Sequence, residues 1–342
     1  MALWLVRAGS RGEYEKKFLD EKRIYLTWHD LSYDLSKSKD PKALNALLLK
    51  VHPDEKLNTV KNWTSQVWQF VKEMKSGDWV VMPSKMKPAI HFAEITGDYQ
   101  FVPKGPDPYY HFREIKWLAK DIPRSNFDQD LLYSFGAFKT ICQISRNDAE
   151  KRIRDMGRKK WKAPASISTD IPKTGEESEL VSDLEQLAKD EIAKHITRKF
   201  KGHAMARLVE AVLQAQGYTT YRSPEGPDKG IDLLAAPGPL GFGSPRLCVQ
   251  VKSTDVPVDT STLNQLIGSM QNVNAEQGLL VSWGGFKSSV DKEIPNQFFR
   301  VRLWDQNSLI QEIMNNYDRL DEDIKTELPL KQIWTMSIPE AE

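Results

Sequence analysis

Residues 226–253 read GPDKGIDLLAAPGPLGFGSPRLCVQVKS, and the folding of this stretch decides the architecture around it. It divides into an apolar run with one carboxylate, Ile231-Asp232-Leu233-Leu234-Ala235-Ala236, a Gly/Pro-rich turn, and a second run, Val249-Gln250-Val251-Lys252. Alternate side chains of a strand share a face, so Gln250 and Lys252 lie on one side while Val249 and Val251 enter the core. A hairpin then sets Asp232 across the ladder from them. An ionised carboxylate in such an apolar strand is costly unless it is paired or bound to metal, which marks Asp232 as functional. One carboxylate, one amide oxygen and one lysine held side by side can bind a divalent cation and activate water against a phosphodiester. The hairpin therefore points to cleavage of nucleic acid.

The context extends from 200 to 313. A helix ends in Gly217-Tyr218, Gly226…Asp228-Lys229-Gly230-Ile231-Asp232 precedes the Gln-x-Lys strand, and Gly278-Leu279-Leu280-Val281-Ser282-Trp283-Gly284-Gly285-Phe286 follows it. Val301-Arg302-Leu303-Trp304-Asp305 and Leu309-Ile310 close the pattern. In this order the segment resembles the catalytic domain of Mrr-type restriction endonucleases, within the PD-(D/E)XK nuclease superfamily. The resemblance implies an α/β domain, a central mixed sheet flanked by helices. It implies that Asp232 ligates Mg²⁺ or Mn²⁺, that Gln250 stands where the family usually has Glu or Asp, and that the Val251 carbonyl is a further ligand. Lys252 would polarise the attacking water. Hard oxygen ligands suit these cations and argue against zinc. The family commonly has a glutamate eleven residues before the Gly of Gly-Tyr, where this chain has Ala206. Glu210, one turn later on the same helix face, is the preferred replacement, with His203 the alternative, and Glu210 also reads as an ordinary solvated glutamate. If neither reaches the metal, the site is depleted.

At 342 residues the chain exceeds the common size of one domain. Lys+Arg 48 against Asp+Glu 47 leaves a net charge of +1, so only local clusters can indicate a nucleic-acid partner. Cys142 and Cys248 show neither CxxC nor Cys/His spacing, which excludes a zinc-finger pattern or disulfide framework. The apolar start meets Arg7 too soon for a signal peptide, and a reducing cytoplasm is the expected home. A boundary falls between about 147 and 180, where basic residues crowd ahead of Pro164, Ser166, Ser168, Pro172 and Gly175. The reading is a domain over 1–150, a basic linker over 151–178 and a second domain over 179–342. Lys151, Arg152, Arg158, Lys159 and Lys160 are candidates for gripping the DNA backbone, or are simply solvated. Leu180, Leu184, Leu187, Ala188, Ile192 and Ile196 have the spacing of an amphipathic helix that packs on the second domain.

The N-terminal part carries short strands at Met1 to Val6, Ile24 to Trp28, Gly77-Asp78-Trp79-Val80-Val81-Met82-Pro83, Ile90-His91-Phe92-Ala93-Glu94-Ile95 and His111-Phe112-Arg113-Glu114-Ile115-Lys116-Trp117, with a helix over 65–74. This suggests a compact α+β β-barrel domain. It resembles the PUA-like folds that include EVE and YTH readers, which implies a flipped base held in an aromatic pocket. Base–aromatic stacking contributes about 1–3 kcal/mol, set against a few kcal/mol for extruding the base. Trp28 and Trp63 are the candidate walls, and Asp30 and Asn62 could read the base edge, although aromatics more often fill cores. Together the two halves imply a modification-dependent restriction endonuclease acting on double-stranded DNA that carries a modified base. Because one such centre cuts one strand, a homodimer is expected. The alternatives are a non-catalytic DNA-binding module and a repair or junction nuclease that reads DNA shape.

Overall fold

The computed structural model describes residues 1–137, 139–162, 184–224 and 230–333. These fall in two compact units that divide between Leu187 and Ala188. Among the described residues no helix is long and apolar enough to cross a membrane.

The first unit contains β1 (Leu3–Val6), α1 (Glu15–Glu21), β2 (Arg23–Leu26), α2 (Pro41–Val51), α3 (Leu57–Trp68), β3 (Trp79–Pro83), β4 (Ala89–Ile95), β5 (Gln100–Phe101), β6 (His111–Pro123), α4 (Gln129–Phe135), β7 (Ile141–Gln143) and α5 (Ala149–Arg158). The strands form one sheet in the order β2-β6-β4-β3-β1-β7, with β5 also on β6. The strand β1 is apolar at every position because both its faces are covered: Trp4 and Val6 enter one core, Leu3 and Leu5 the other. The buried Asp78 carboxylate accepts from the Ala2 amide at 2.8 Å, the Trp4 indole Nε1 at 3.0 Å and the Lys75 amide at 3.0 Å, pinning β1 to the start of β3. One end of the long β6 pairs with β2 and β5, and the rest pairs with β4 through register shifts beside Phe92, so the sheet curls into a half-barrel. The helix expected over 65–74 begins at Leu57 and ends in a π-turn over Gln69–Glu73. Buried Arg113 satisfies the carbonyls of that turn, donating to Phe70 at 2.8 Å and Val71 at 3.2 Å.

Residues 151–162, read above as the start of a linker, belong to this unit. Ala149 and Ile153 of α5 are buried in its second core, and the Trp161 ring stacks on Phe92 at 4.4 Å. The charged residues of α5 masked the apolar contacts that dock it. The remainder of the expected linker, 163–178, lies outside the described residues.

The second unit contains α6 (Leu184–Lys199) from Ala188 onward, α7 (His203–Ala215), β8 (Tyr218–Arg222), β9 (Leu233–Pro237), β10 (Leu247–Lys252), α8 (Thr260–Asn272), β11 (Gln277–Ser282), α9 (Ser288–Gln297), β12 (Val301–Trp304), α10 (Gln306–Asn316) and α11 (Glu322–Glu327). Its sheet runs β12-β11-β10-β9-β8. The pairs among β8, β9 and β10 are antiparallel and those among β10, β11 and β12 parallel, so the sheet is mixed, as expected. Apolar side chains of α6, α7 and α10 cover one face of the sheet. Those of α8 and α9 cover the other. Gly278 explains how closely α8 approaches: a Cβ on it would lie 2.6 Å from Met270 Sδ, so a larger residue would wedge helix from strand.

Candidate active site

The hairpin of β9 and β10 places its polar residues as the alternation requires. Leu233 pairs with Val249, the last pair of the β9–β10 ladder, and Asp232 follows just beyond the end of β9. The Asp232 amide donates to the Val249 carbonyl at 3.0 Å, and the Val251 amide donates to Asp232 Oδ2 at 2.8 Å. The carboxylate is thus held across the ladder by main-chain bonds. Val249 and Val251 face the core beneath α7 and α10, while Cys248 and Gln250 face α8. Lys252 shares the Gln250 face by the same alternation. Its carbonyl accepts from the Trp283 amide on the β11 side, so the Val251 carbonyl points the other way, toward the end of β9.

Gln250 is completely buried, and its Oε1 has no hydrogen-bond partner. A buried acceptor left unmade costs roughly 1–3 kcal/mol, and a cation held beside Asp232 would remove that cost. The Asp232 carboxylate, Gln250 Oε1 and the Val251 carbonyl therefore fit a hard divalent cation that keeps several waters. Among the described residues no group of three His, Cys, Asp or Glu side chains could hold a metal, so a carboxylate-rich or zinc-type centre is not built there. The Cys248 thiol, pushed up to about 11 first by burial and then by the Asp232 charge, is a poor thiolate ligand.

The helix residues weighed for the missing acid are separated by the fold. The N-terminus of α7 lies at the catalytic end of the sheet: the Gly202 amide donates to Ser253 Oγ at 3.1 Å, one residue past Lys252. His203 is exposed at that end. Glu210 stands seven residues along α7, about 10 Å by helical rise. It accepts from Thr220 Oγ1 at 3.0 Å and pairs with Arg222 at 3.4 Å. Both partners lie on β8, on the α7 side of the sheet, whereas Gln250 faces α8. Ala206 is buried and offers nothing polar. Gln265 of α8, which nothing in the sequence singles out, accepts through Oε1 from Gln250 Nε2 at 3.3 Å. No local signal reports that contact, because it depends on how α8 crosses β10. Asp228 of the motif that precedes Asp232 lies outside the described residues.

In the first unit Trp28 and Trp63 do not form the walls of an open pocket. At 8% and 3% exposure both pack in the core, Trp63 against the His52 ring at 5.3 Å. A small curled sheet needs large side chains to fill its concave side. Asn62 is exposed on α3, and Asp30 is exposed with its amide donating to Asp107 Oδ1 at 2.8 Å. Polar and aromatic groups meet instead beside Asp30. His29 Nδ1 bonds to the Asp107 carboxylate, which leaves Nε2 to accept from the Tyr14 hydroxyl at 3.4 Å, and the Tyr109 ring stands edge-on to Tyr14. Of the proposed backbone contacts, Arg152 is held by Asp128 and Asp130 and Arg158 by Asp155, whereas Lys151, Lys159 and Lys160 are exposed.

Residues 197–313 match the family model Mrr_cat, described as restriction endonuclease, and residues 4–144 match a domain of unknown function, DUF8426. The second unit thus carries an Mrr-type restriction endonuclease domain. No curated protein matches the chain. Among solved structures, the DNA modification-dependent restriction endonuclease AspBHI aligns at 13% identity and a TM-score of 0.33, over 79% of this chain and 72% of that one. The MspJI restriction endonuclease in complex with a 27-mer oligonucleotide aligns at 13% identity and a TM-score of 0.33, over 74% of this chain and 64% of that one.

Proposed function

We propose that the chain is a divalent-metal-dependent endonuclease that cleaves double-stranded DNA carrying a modified base. The observation that carries the metal-dependent chemistry is the unpartnered, buried Gln250 Oε1, next along β10 from the Val251 amide that holds the Asp232 carboxylate. Asp232, Gln250 and the Val251 carbonyl would hold Mg²⁺ or Mn²⁺, which when bound supplies Lewis-acid stabilisation of charge developing on the phosphate. Lys252 donates hydrogen bonds to the attacking water or a phosphate oxygen, and the Val251 amide keeps the Asp232 carboxylate aimed at the reacting centre.

None of these groups distinguishes one base from another, so selection of a modified base is assigned to the first unit. Its half-buried Tyr14 and exposed His29, Asp30 and Asp107 offer hydrogen-bond donors and acceptors next to aromatic rings. Digestion of plasmids with defined base modifications, in Mg²⁺ and in EDTA, tests the proposal. Cleavage confined to modified DNA and abolished by EDTA is expected, and equal cutting of all substrates would remove the reader.

One observation favours a second reading, a DNA-binding module without catalysis: Ala206 is buried and Glu210 is committed to Thr220 and Arg222. Absence of nicking in both Mg²⁺ and Mn²⁺, with DNA binding intact, would select it.

A further inference from the structure

We propose that Gln265 of α8 is a positioning residue: by accepting from Gln250 Nε2 it keeps Gln250 Oε1 as the available oxygen beside Asp232, and so sets the affinity of the site for a divalent cation. This rests on the metal-site reading above. A glutamine amide has a donor end and an acceptor end of nearly equal shape, so a buried glutamine offers oxygen to a cation only if its surroundings fix which end faces it. Gln250 is completely buried on the α8 side of the sheet, and its Nε2 donates to Gln265 Oε1 at 3.3 Å. Turning the amide over would set two carbonyl oxygens against each other and direct an NH₂ group at the cation.

Gly230 completes the arrangement. A Cβ there would fall 2.7 Å from Gln265 Nε2 and 3.1 Å from Gln250 Nε2, and its φ of +82° suits glycine, so the main chain just before Asp232 lies close against both amides. The sequence places an amide where related sites carry an acid, and Gln265 supplies the acceptor that an acid at 250 would not need. Gln265 itself is exposed on α8, so replacing it leaves the core untouched.

The test is Mn²⁺ binding to the full chain without DNA, followed by electron paramagnetic resonance, with thermal melting of each variant as the control for folding. Loss of an outer partner of a metal ligand typically lowers affinity by about 10–100-fold, and Gln265→Met, similar in size but without an acceptor, is expected to fall in that range. Gln265→Glu retains an acceptor and should bind at least as tightly as the unaltered chain. In a Gln250→Ala background, Gln265→Met should have no further effect, because the group it positions is gone. Binding by Gln265→Met within about twofold of the unaltered chain, far short of the expected loss, would overturn the role, as would a Gln265→Glu variant as weak as Gln265→Met. Asp232→Ala separates the two levels. If it binds Mn²⁺ undiminished, or the unaltered chain binds none, the metal site itself is wrong. If Asp232→Ala loses binding while Gln265→Met does not, only the positioning role fails.

Discussion

In the proposed function Asp232 and Lys252 would act on the cation and the water, whereas DNA affinity comes mainly from phosphate contacts spread over a surface. Asp232→Ala and Lys252→Ala are therefore expected to lower cleavage by at least about 10²-fold while DNA binding survives, as gel-shift and nicking assays on the same preparations would show. Undiminished cutting by either variant would remove the site. Glu210 has the opposite expectation. Its carboxylate is engaged with Thr220 and Arg222 of β8, and a half-exposed pair of this kind contributes about 0–1 kcal/mol. Glu210→Gln should shift the melting temperature slightly and leave the metal dependence of nicking unchanged; a raised Mg²⁺ requirement would return Glu210 to the site. In the first unit, burial pushes the His111 imidazole down to about 4. Its Nε2–H donates to the Leu31 carbonyl at 2.7 Å, and its Nδ1 accepts from the Tyr99 hydroxyl at 2.7 Å. Between pH 6.5 and 4 the unfolded chain takes up a proton here that the folded chain refuses, so this contribution to stability is intact above about pH 6.5 and lost on acidification. The full effect is on the order of 3 kcal/mol. Urea melts at pH 7 and pH 4.5 should show a steeper loss in the unaltered chain than in His111→Gln, and equal slopes would deny His111 the role.

At the scale of elements, the hairpin was legible because a strand has a period of two and a Gly/Pro turn fixes its register; three residues then determine a shared face. The charged helix α5 was not. Arg152 bonded to Asp128 and Asp130, and Arg154 lying over the Trp79 ring at 4.5 Å, are tertiary facts that a count of basic residues reads as a solvated linker. The relation of α7 to the sheet was half legible: its apolar face predicted burial, but nothing in its period told which side of the sheet Glu210 would meet. The docking of α5 has a measurable consequence. Trp161 stacks on Phe92 and packs beside Trp79. Trp161→Ala is therefore expected to destabilise the first unit by about 2–4 kcal/mol, below the roughly 3–5 kcal/mol of fully buried aromatic deletions because the ring is half-buried. A variant that melts with the unaltered chain would show that the contact does not hold α5 in place.

At the scale of the whole molecule, each unit has, among the described residues, its own sheet and its own clusters of buried side chains. That independence predicts separable activities, with the cut placed by the docking of α5. A chain ending at 162 should fold and keep any preference for a modified base, whereas one ending at 150 loses Ile153 and Trp161 and should be markedly less stable. A chain beginning at 184 should keep metal-dependent nicking but lose the preference, since Asp232, Gln250 and Lys252 address a phosphodiester common to every sequence. Duplex breaks require two such centres, so solution mass measured with and without substrate should reveal a dimer on DNA; a monomer that makes concerted double-strand breaks would contradict this. Binding of each fragment to matched modified and unmodified duplexes must be compared at one fixed salt concentration, because phosphate contacts alone change affinity steeply with salt. His29→Ala within the fragment ending at 162 then localises the reading. Loss of discrimination with folding intact assigns it to the cluster of His29, Tyr14 and Asp107, whereas discrimination that stays with the fragment beginning at 184 would place base selection in the nuclease domain and leave the first unit without a reading role.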